Sequence, residues 1–315
     1  MRSRGPDSLI VQPDEGGRLD QFLVRRVPGC SRRTARAAIA AGAVRVNGLL
    51  GRKGDTVRAP DVVALDRSIF ERELIPQPQL DLTVLYADEA LVAVDKPAGM
   101  PAVALRADDR GTVANYLVGR YPELREVGGT RFEAGLVHRL DTPTSGALLA
   151  ARSAAAWQAL RAEFRARRVH KLYLAVVAGE LTTSGTIDAP IAHRSRHSRR
   201  MCVCTDPARA VALCARPART SYRPLRRIGG TTLLAVRIST GVRHQIRVHL
   251  ASIGHPIIGD ATYGEASTTH AAPRLLLHAS RICIAHPVGG WRLRIRCPLP
   301  EEFQAACRDL AAPHR

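Results

Sequence analysis

Residues 66–80, DRSIFERELIPQPQL, constrain this chain more than any other stretch. Pro76 and Pro78 stand close together there, and the patterning differs on the two sides. Proline fixes φ and cannot donate to a ladder, so neither a helix nor a central strand runs through such a segment. The segment reads as a domain boundary. The expectation is a small front domain, residues 1–65, a semi-rigid linker at 66–80, and a larger domain over 81–315.

The front part is helical and basic. Leu19, Phe22 and Leu23 fall at i, i+3 and i+4 on a first short helix, which Pro28-Gly29 breaks. Ser31 is placed to cap a second helix, RRTARAAIAAG, which Gly42 ends. Arg32, Arg33 and Arg36 lie within an arc of about 100° on that helix, opposite Ala35, Ala38 and Ile39. Val44-Arg45-Val46 followed by Asn47-Gly48 reads as a hairpin, with a second turn at Lys53-Gly54-Asp55 and a last strand at Val62–Leu65. Three arginines on one helical face beside a basic hairpin form a phosphate-reading surface; an ordinary solvated face is the competing reading.

Beyond residue 81 strands dominate. Short apolar runs at Leu82–Leu85 and Leu91–Val94 flank Asp88-Glu89, and Lys96-Pro97-Ala98-Gly99 is a turn. Thr112–Leu117 opens a helix. In EAGLVHRLDTPTSGALLAAR, residues 133–152, His138 to Ser145 form a polar loop between two apolar segments. Trp157, Leu160 and Phe164 give one helical face, with Arg161, Arg165 and Arg168 repeating at i, i+4 and i+7 on another. Lys171–Val177 and the alternation of Leu234, Val236 and Ile238 read as strands. Ile246, Leu250 and Ile253 then form a helical face stopped by Gly254, with Arg243 and Arg247 one turn apart on a different face. LLLHA at 275–279 and WRLRI at 291–295 are further strands.

Composition says what such a chain meets. It has 315 residues, 47 Lys+Arg against 28 Asp+Glu, and a net charge of +19. Lys53, Lys96 and Lys171 are its only lysines, so the excess is arginine, the residue whose planar fork suits phosphate. With 45% apolar residues this is no disordered basic tail. A coding preference for alanine and arginine would give the same total, but the basic residues cluster: in the front module, at 161–171, and in HRSRHSRR at 193–200. The opening MRSRGPDSLIVQPDEGG has no apolar run behind its arginines, and nowhere do 18 apolar residues run together; the expectation is a soluble cytoplasmic protein. Seven cysteines without a CxxC pair read as buried thiols. No HExxH, nucleophile elbow, P-loop or Rossmann glycine pattern is present, and no helix-turn-helix or zinc finger suggests DNA.

Taken alone, Asp141 is the sharpest carboxylate candidate, though equally a turn or N-cap aspartate, and Tyr173 fits a core as well as a site. A resemblance sharpens both. His138-Arg139-Leu140-Asp141, followed by Thr142 and Ser145-Gly146, resembles the signature of the RluA-type pseudouridine synthases. Lys171-Leu172-Tyr173 resembles their second motif; GVRHQIRVHL, continuing ASIGHPIIGDATYG and then LLLHA, resembles their third. Residues 17–60 are similar to the alpha-L RNA-binding domain often fused in front.

The resemblance implies an α+β fold, with a mixed, mainly antiparallel catalytic sheet and flanking helices. It implies isomerisation of uridine to pseudouridine in structured RNA, most readily large-subunit ribosomal RNA, without metal or cofactor and as a monomer. A transfer-RNA enzyme and a non-catalytic ribosome-assembly factor of the same fold are the alternatives. Asp141 would be the essential aspartate, Tyr173 the active-site tyrosine, and Arg247 the partner of the aspartate. His138, Arg139, Thr142, His244, Gln245 and Leu277 become candidates for substrate contact, with Leu277 bordering the uracil pocket. Two departures stand out: Met100-Pro101-Ala102-Val103 replaces the usual Val-His-Pro element, and Val242 replaces a basic or polar residue.

Overall fold

A computed structural model describes residues 7–27, 30, 32–66, 73–106, 108–195, 198 and 200–312, with the side chain of Arg33 left out. Ser31, Pro28-Gly29, residues 67–72 of the expected linker, and Arg196, His197 and Arg199 of the basic run lie outside the described residues. Two compact units emerge: Met1–Leu74 with Gly129–Arg131, and Ile75–Gly128 with Phe132–Arg315.

The first unit contains strands β1 (Asp7–Ile10), β2 (Gly17–Arg18), β3 (Val44–Val46), β4 (Leu49–Leu50), β5 (Thr56–Val57) and β6 (Val62–Leu65), with helices α1 (Leu19–Arg26) and α2 (Arg32–Ala40). A four-stranded antiparallel sheet runs β1-β6-β3-β4, and β2 pairs β5. The periodic residues do what their spacing demands. Leu19, Phe22 and Leu23 of α1 and Ala35, Ala38 and Ile39 of α2 are buried together with Val44, Val57, Val63 and Leu65. Asn47 and Gly48 both take positive φ, 50° and 83°, as a two-residue hairpin turn requires.

The second unit is built on one nine-stranded sheet. Its strands are β7 (Val84–Ala87), β8 (Leu91–Lys96), β9 (Ser145–Ala151), β10 (His170–Ala178), β11 (Gly185–Asp188), β14 (Arg219–Ile228), β15 (Thr231–Ile238), β16 (Leu277–Ala285) and β17 (Arg292–Arg296). The short strands β12 (Ile191–His193) and β13 (Met201–Val203) pair separately. The order is β11-β14-β15-β10-β16-β9-β8-β7, with β17 on β16. Every pairing is antiparallel except β16 with β9. Helices α3 (Val113–Arg120), α4 (Ala154–Arg165), α5 (Pro207–Ala212), α6 (Gln245–Ser252), α7 (Ala266–Thr269) and α8 (Glu301–Ala311) accompany it. None of the described helices is long and apolar enough to cross a membrane.

Four expectations are corrected. The strand placed at Leu82–Leu85 begins at Val84 and runs to Ala87. The strand read at 275–279 begins only at Leu277 and continues to Ala285. The arginine stripe does not form: α4 ends at Arg165, Arg167 turns at φ 58°, and Arg168 bonds back to Glu163 at 3.0 Å. Arg243 and Arg247 share no helical face either. His244, at φ 56°, is the N-cap of α6, which leaves Arg243 exposed ahead of the helix and Arg247 buried inside it.

Part of the expected linker is pinned. Asn115 of α3 donates to the Ile75 carbonyl at 2.9 Å, and the Gln77 N–H donates to the Asn115 carbonyl at 2.9 Å.

Candidate active site

Asp141 stands on the loop that feeds β9, and the chain is tied down on both sides of it. Ahead of it, the Val137 N–H donates to the Leu149 carbonyl at 3.1 Å, and His138 Nε2 accepts from the Leu149 N–H at 3.1 Å. The His138 ring stacks on Phe164, and burial, helped by Lys171 and Arg161, pushes its pKa down to about 3. Behind it, the Asp141 carbonyl accepts from the Thr144 N–H at 3.0 Å. The Thr142 carbonyl takes two donors, the Gly99 N–H at 2.9 Å and Lys96 Nζ at 3.0 Å.

Lys96 is fully buried at the end of β8 and also donates to the Pro97 and Met100 carbonyls, each at 2.8 Å. Burial and the nearby Arg274 push its pKa down to about 7, against the pull of Asp141 and Asp95. Its three bonds clamp the 97–100 turn to the aspartate loop. The next residues dock on α3, where the Val113 and Ala114 N–H groups donate to the Pro101 and Ala102 carbonyls at 3.0 and 3.1 Å. The departure at 100–103 therefore joins turn to helix.

Where the loop enters β9, only glycine fits. Gly146 has φ 121°, and a Cβ there would lie 2.4 Å from the Ala279 carbonyl oxygen. That close approach is the parallel contact of β9 with β16, Ser145 with His278 and Gly146 with Ala279.

Arg247 comes from α6 and is buried, at 4% exposure. Its principal partner is Asp260, not Asp141. Nε and one terminal nitrogen grip Asp260 at 2.7 and 2.6 Å, and that second nitrogen also donates to Thr262 Oγ1 at 2.9 Å. The remaining terminal nitrogen, Nη1, lies 3.6 Å from Asp141 Oδ2. Burial works against the guanidinium charge, but Asp260, through hydrogen bonds and charge, and then Asp141 more than offset it, and the arginine pKa is raised. Asp260 is itself held by the N–H groups of Thr262 and Tyr263 at 2.9 and 3.1 Å. Gly259, just before it, has φ 78°, and a side chain there would overlap the Arg274 carbonyl.

Tyr263 covers this pair. The Arg247 guanidinium lies 5.2 Å from its ring centroid, and its hydroxyl meets His244 Nδ1 at 2.9 Å and accepts from the Met201 N–H at 2.8 Å. Tyr173 projects from β10, where the register with β16 shifts between Leu172 and Leu174. It is buried, and burial and then the charge of Asp141 raise its pKa, so the hydroxyl stays protonated. Leu277 begins β16, buried opposite Ala175 of β10.

Asp141, Tyr173 and Arg247 thus come from three separate elements, and one carboxylate is felt by both partners. Gln245 departs from its expected role. Its amide donates to the Arg219 carbonyl and Thr220 Oγ1 and accepts from Thr240 Oγ1 and the Val242 N–H, which uses all four positions. It braces the start of α6 and has nothing left for substrate. Val242 is buried with Ile191, Met201, Ala218 and Val248. The ring of His138 faces β9, whereas Arg139 and Thr142 are exposed. Arg32 and Arg36 belong to the first unit; Arg32 is exposed, and Arg36 bonds to Asp20 at 3.0 Å.

Three contributors escaped the sequence reading: Asp260, Tyr263 and Lys96. Asp260 had a signal, since an acid directly after the apolar Pro256-Ile257-Ile258-Gly259 needs a cation once buried. Lys96 had one too, as a lysine ending the apolar run Leu91–Val94 in a chain that otherwise uses arginine. Among the described residues no group of three or more His, Cys, Asp or Glu is placed to hold a metal ion. What the arrangement offers is an accessible carboxylate, aimed by a buried cation, beside a neutral phenol.

Comparison with known proteins gives matches over both units. The family model for RNA pseudouridylate synthase matches residues 90–252, and that for the S4 domain matches 17–63. An uncharacterized RNA pseudouridine synthase of Chloroflexus aurantiacus is 38% identical over 96% of this chain and 93% of its own length. A ribosomal large subunit pseudouridine synthase D of Xanthomonas campestris is 37% identical over 93% of this chain and 89% of its own. Among solved structures, human RNA pseudouridylate synthase domain containing 1 is similar at a TM-score of 0.56 and 28% identity. That match covers 72% of this chain and 87% of the human one.

Proposed function

Since this chain belongs to the RNA pseudouridylate synthase family, with an S4 domain ahead of the catalytic one, we propose that it isomerises specific uridines of large-subunit ribosomal RNA through Asp141, Tyr173 and Arg247. The observation that carries the assignment is the placement of Arg247: Asp260 fixes it from one side, and its one remaining nitrogen lies 3.6 Å from Asp141. A buried guanidinium so held attracts the carboxylate and sets its direction without closing on it in a short bond. The ribosomal target is supported by relatives bearing that name whose likeness extends across both the S4 and the catalytic parts.

The target uridine leaves its stack at a cost of a few kcal/mol, met by contacts to the backbone. Asp141 acts on the sugar, as nucleophile or as base, and the bond from C1′ to N1 breaks. The detached uracil turns in the pocket bordered by Leu277, and a bond forms from C1′ to C5 as the Asp141–C1′ bond breaks or, where Asp141 acted as base, as it returns the sugar proton. The C5 proton then leaves and N1 is left protonated, so the product is an isomer of the substrate. Tyr173 stacks on the base and relays the C5 proton. Because its hydroxyl stays protonated, it accepts one proton only as it passes on its own. Confinement matters, since uracil lost in mid-reaction would leave an abasic site. Arg139 supports the flipped nucleotide from the exposed side of the loop. The same reading puts the enzyme in the cytoplasm as a monomer without cofactor, and gives the S4 arginines Arg32, Arg33 and Arg36 the phosphates of the same RNA.

Pseudouridine mapping of total RNA from cells with and without the gene tests this. The expected result is loss of defined positions in large-subunit ribosomal RNA. Losses confined to transfer RNA would overturn the target, and no loss at all would overturn the activity.

A further inference from the structure

The sheet has two sides; the one turned away from Tyr173 packs against α8 at Val176 and Leu233, and around Leu172 it is surfaced with arginine. Paired residues on neighbouring strands project from the same side. Leu172 of β10 pairs with Arg237 of β15 and Arg281 of β16. Arg237 pairs in turn with Ser221 of β14, two residues beyond Arg219, and Arg281 pairs with Arg296 of β17. Cys283 pairs with Arg294, and Ala285 with Arg292. Tyr173 alternates to the other side with Val236, Ile282 and Ile295, all buried.

This side forms a groove of about 470 Å³, lined by Arg167, Arg219, Arg237, Arg281, Arg292 and Arg294, with no carboxylate among its lining residues. Arg219 has an exposed partner, Asp188, at 3.6 Å. The other five have no acidic partner among the described residues, and all of them but the half-buried Arg281 are exposed. Like charges about one strand spacing apart, ~4.8 Å, repel one another. A binding partner that brings negative charge relieves that repulsion. From β14 to β17 the row crosses four strand spacings, roughly 19 Å, too wide for one phosphate and suited to a continuous run of them.

We propose that this face is a second RNA-binding surface, which grips the phosphodiester backbone of the substrate RNA at a segment remote from the reacting uridine. Guanidinium forks take phosphate oxygens two at a time, and β14, β15, β16 and β17 hold five of the six arginines in a fixed row. The identity of the RNA rests on the function proposed above; the surface itself does not.

The test compares the full chain with Arg237→Gln/Arg292→Gln/Arg294→Gln, whose three sites are exposed, so the fold is kept. The probes are protein-free large-subunit ribosomal RNA and a uridine hairpin of ~20 nucleotides, too short to reach both faces. On the long RNA, the plot of log Kd against log salt should lose about 2 to 3 in slope, for three contacts at roughly 0.7–0.9 each. Affinity should fall roughly tenfold or more, while kcat on the hairpin stays within about twofold. Lysine at the same three positions should restore the slope. An unchanged slope overturns the proposal. So does an equal loss from glutamine at Arg110, Arg120 and Arg209, exposed arginines outside this sheet, which would mark a bulk charge effect. Competition by poly-glutamate as effective as that by RNA would point to an acidic protein and overturn the RNA assignment. If no RNA is modified by either protein, the catalytic reading fails while the salt slope still reports on this face.

Discussion

Replacing Asp260 by asparagine tests the anchoring of Arg247 directly. Both side chains are out of solvent, at 4% and 0% exposure, and share two charge-assisted bonds of 2.7 and 2.6 Å. Asparagine keeps the volume but loses the charge and turns a donor toward a donor. Removing one partner of a buried pair costs about 3–5 kcal/mol, because the other charge is left uncompensated. Arg247 retains Thr262 Oγ1 at 2.9 Å and can close on Asp141 from 3.6 Å, which sets the expected loss at the lower end, about 3 kcal/mol. For a unit of this size the melting temperature should fall by roughly 6–12 °C. The same collapse pulls Asp141 out of line. A displacement of about 1 Å is enough to lower kcat on the order of 100-fold with little change in KM. Scanning calorimetry and tritium release from RNA labelled at uridine C5 measure the two effects. A variant melting within about 2 °C of the parent with full kcat would show that Asp260 anchors nothing, and the account of the site would fail.

Asp141→Asn should abolish pseudouridine formation while RNA affinity stays within about tenfold, since the side chain is partly exposed and its contact with Arg247 is long; full activity would refute the assigned chemistry. Tyr173→Phe keeps the stacking surface and loses the relay, so single-turnover rates should fall on the order of 100-fold without weaker binding; an unchanged rate would remove the hydroxyl from the mechanism. Lys96 titrates near 7 in the folded chain and near 10.5 when unfolded, so between those values the unfolded state holds more protons and stability rises with pH. The melting temperature of the parent minus that of Lys96→Met should therefore rise from pH 7 to 9.5, and a constant difference would contradict this. Glutamine at Arg32, Arg33 and Arg36 should weaken RNA binding and flatten its salt dependence by roughly one unit per lost phosphate. Arg36, already held by Asp20, should contribute least; an unchanged slope would make the helix a solvated face.

Local features were legible where local chemistry decides them. Leu19, Phe22 and Leu23 announced a buried face, Asn47-Gly48 its turn, and His138, Arg139 and Asp141 a loop between buried segments. Periodicity alone misled at helix ends. Arg168 and Arg243 matched the spacing of their neighbours, but positive φ at Arg167 and His244 bounds the helices inside those positions. What involves pairing across the sheet was least visible. Arg292, Arg294 and Arg296 alternate openly in the sequence, yet only the registers of β16 and β17 set them in a row with Arg281 and Arg237. Asp260 likewise has no cationic partner near it in the sequence; α6 brings Arg247 against it.

The order in which this enzyme can assemble follows from β16. It stands between β10, which carries Tyr173, and β9, which follows Asp141, and the contact with β9 joins residues 133 positions apart in the chain. Until β16 is made, β11-β14-β15-β10 and β9-β8-β7 are two sheets with no strand between them. During synthesis the first unit is complete long before that join, so an RNA-binding module can fold on a nascent chain that has no active site. Closure over so long a loop is slow compared with local folding. A chain cut short before Leu277 would carry both the aspartate and the tyrosine yet never bring them together.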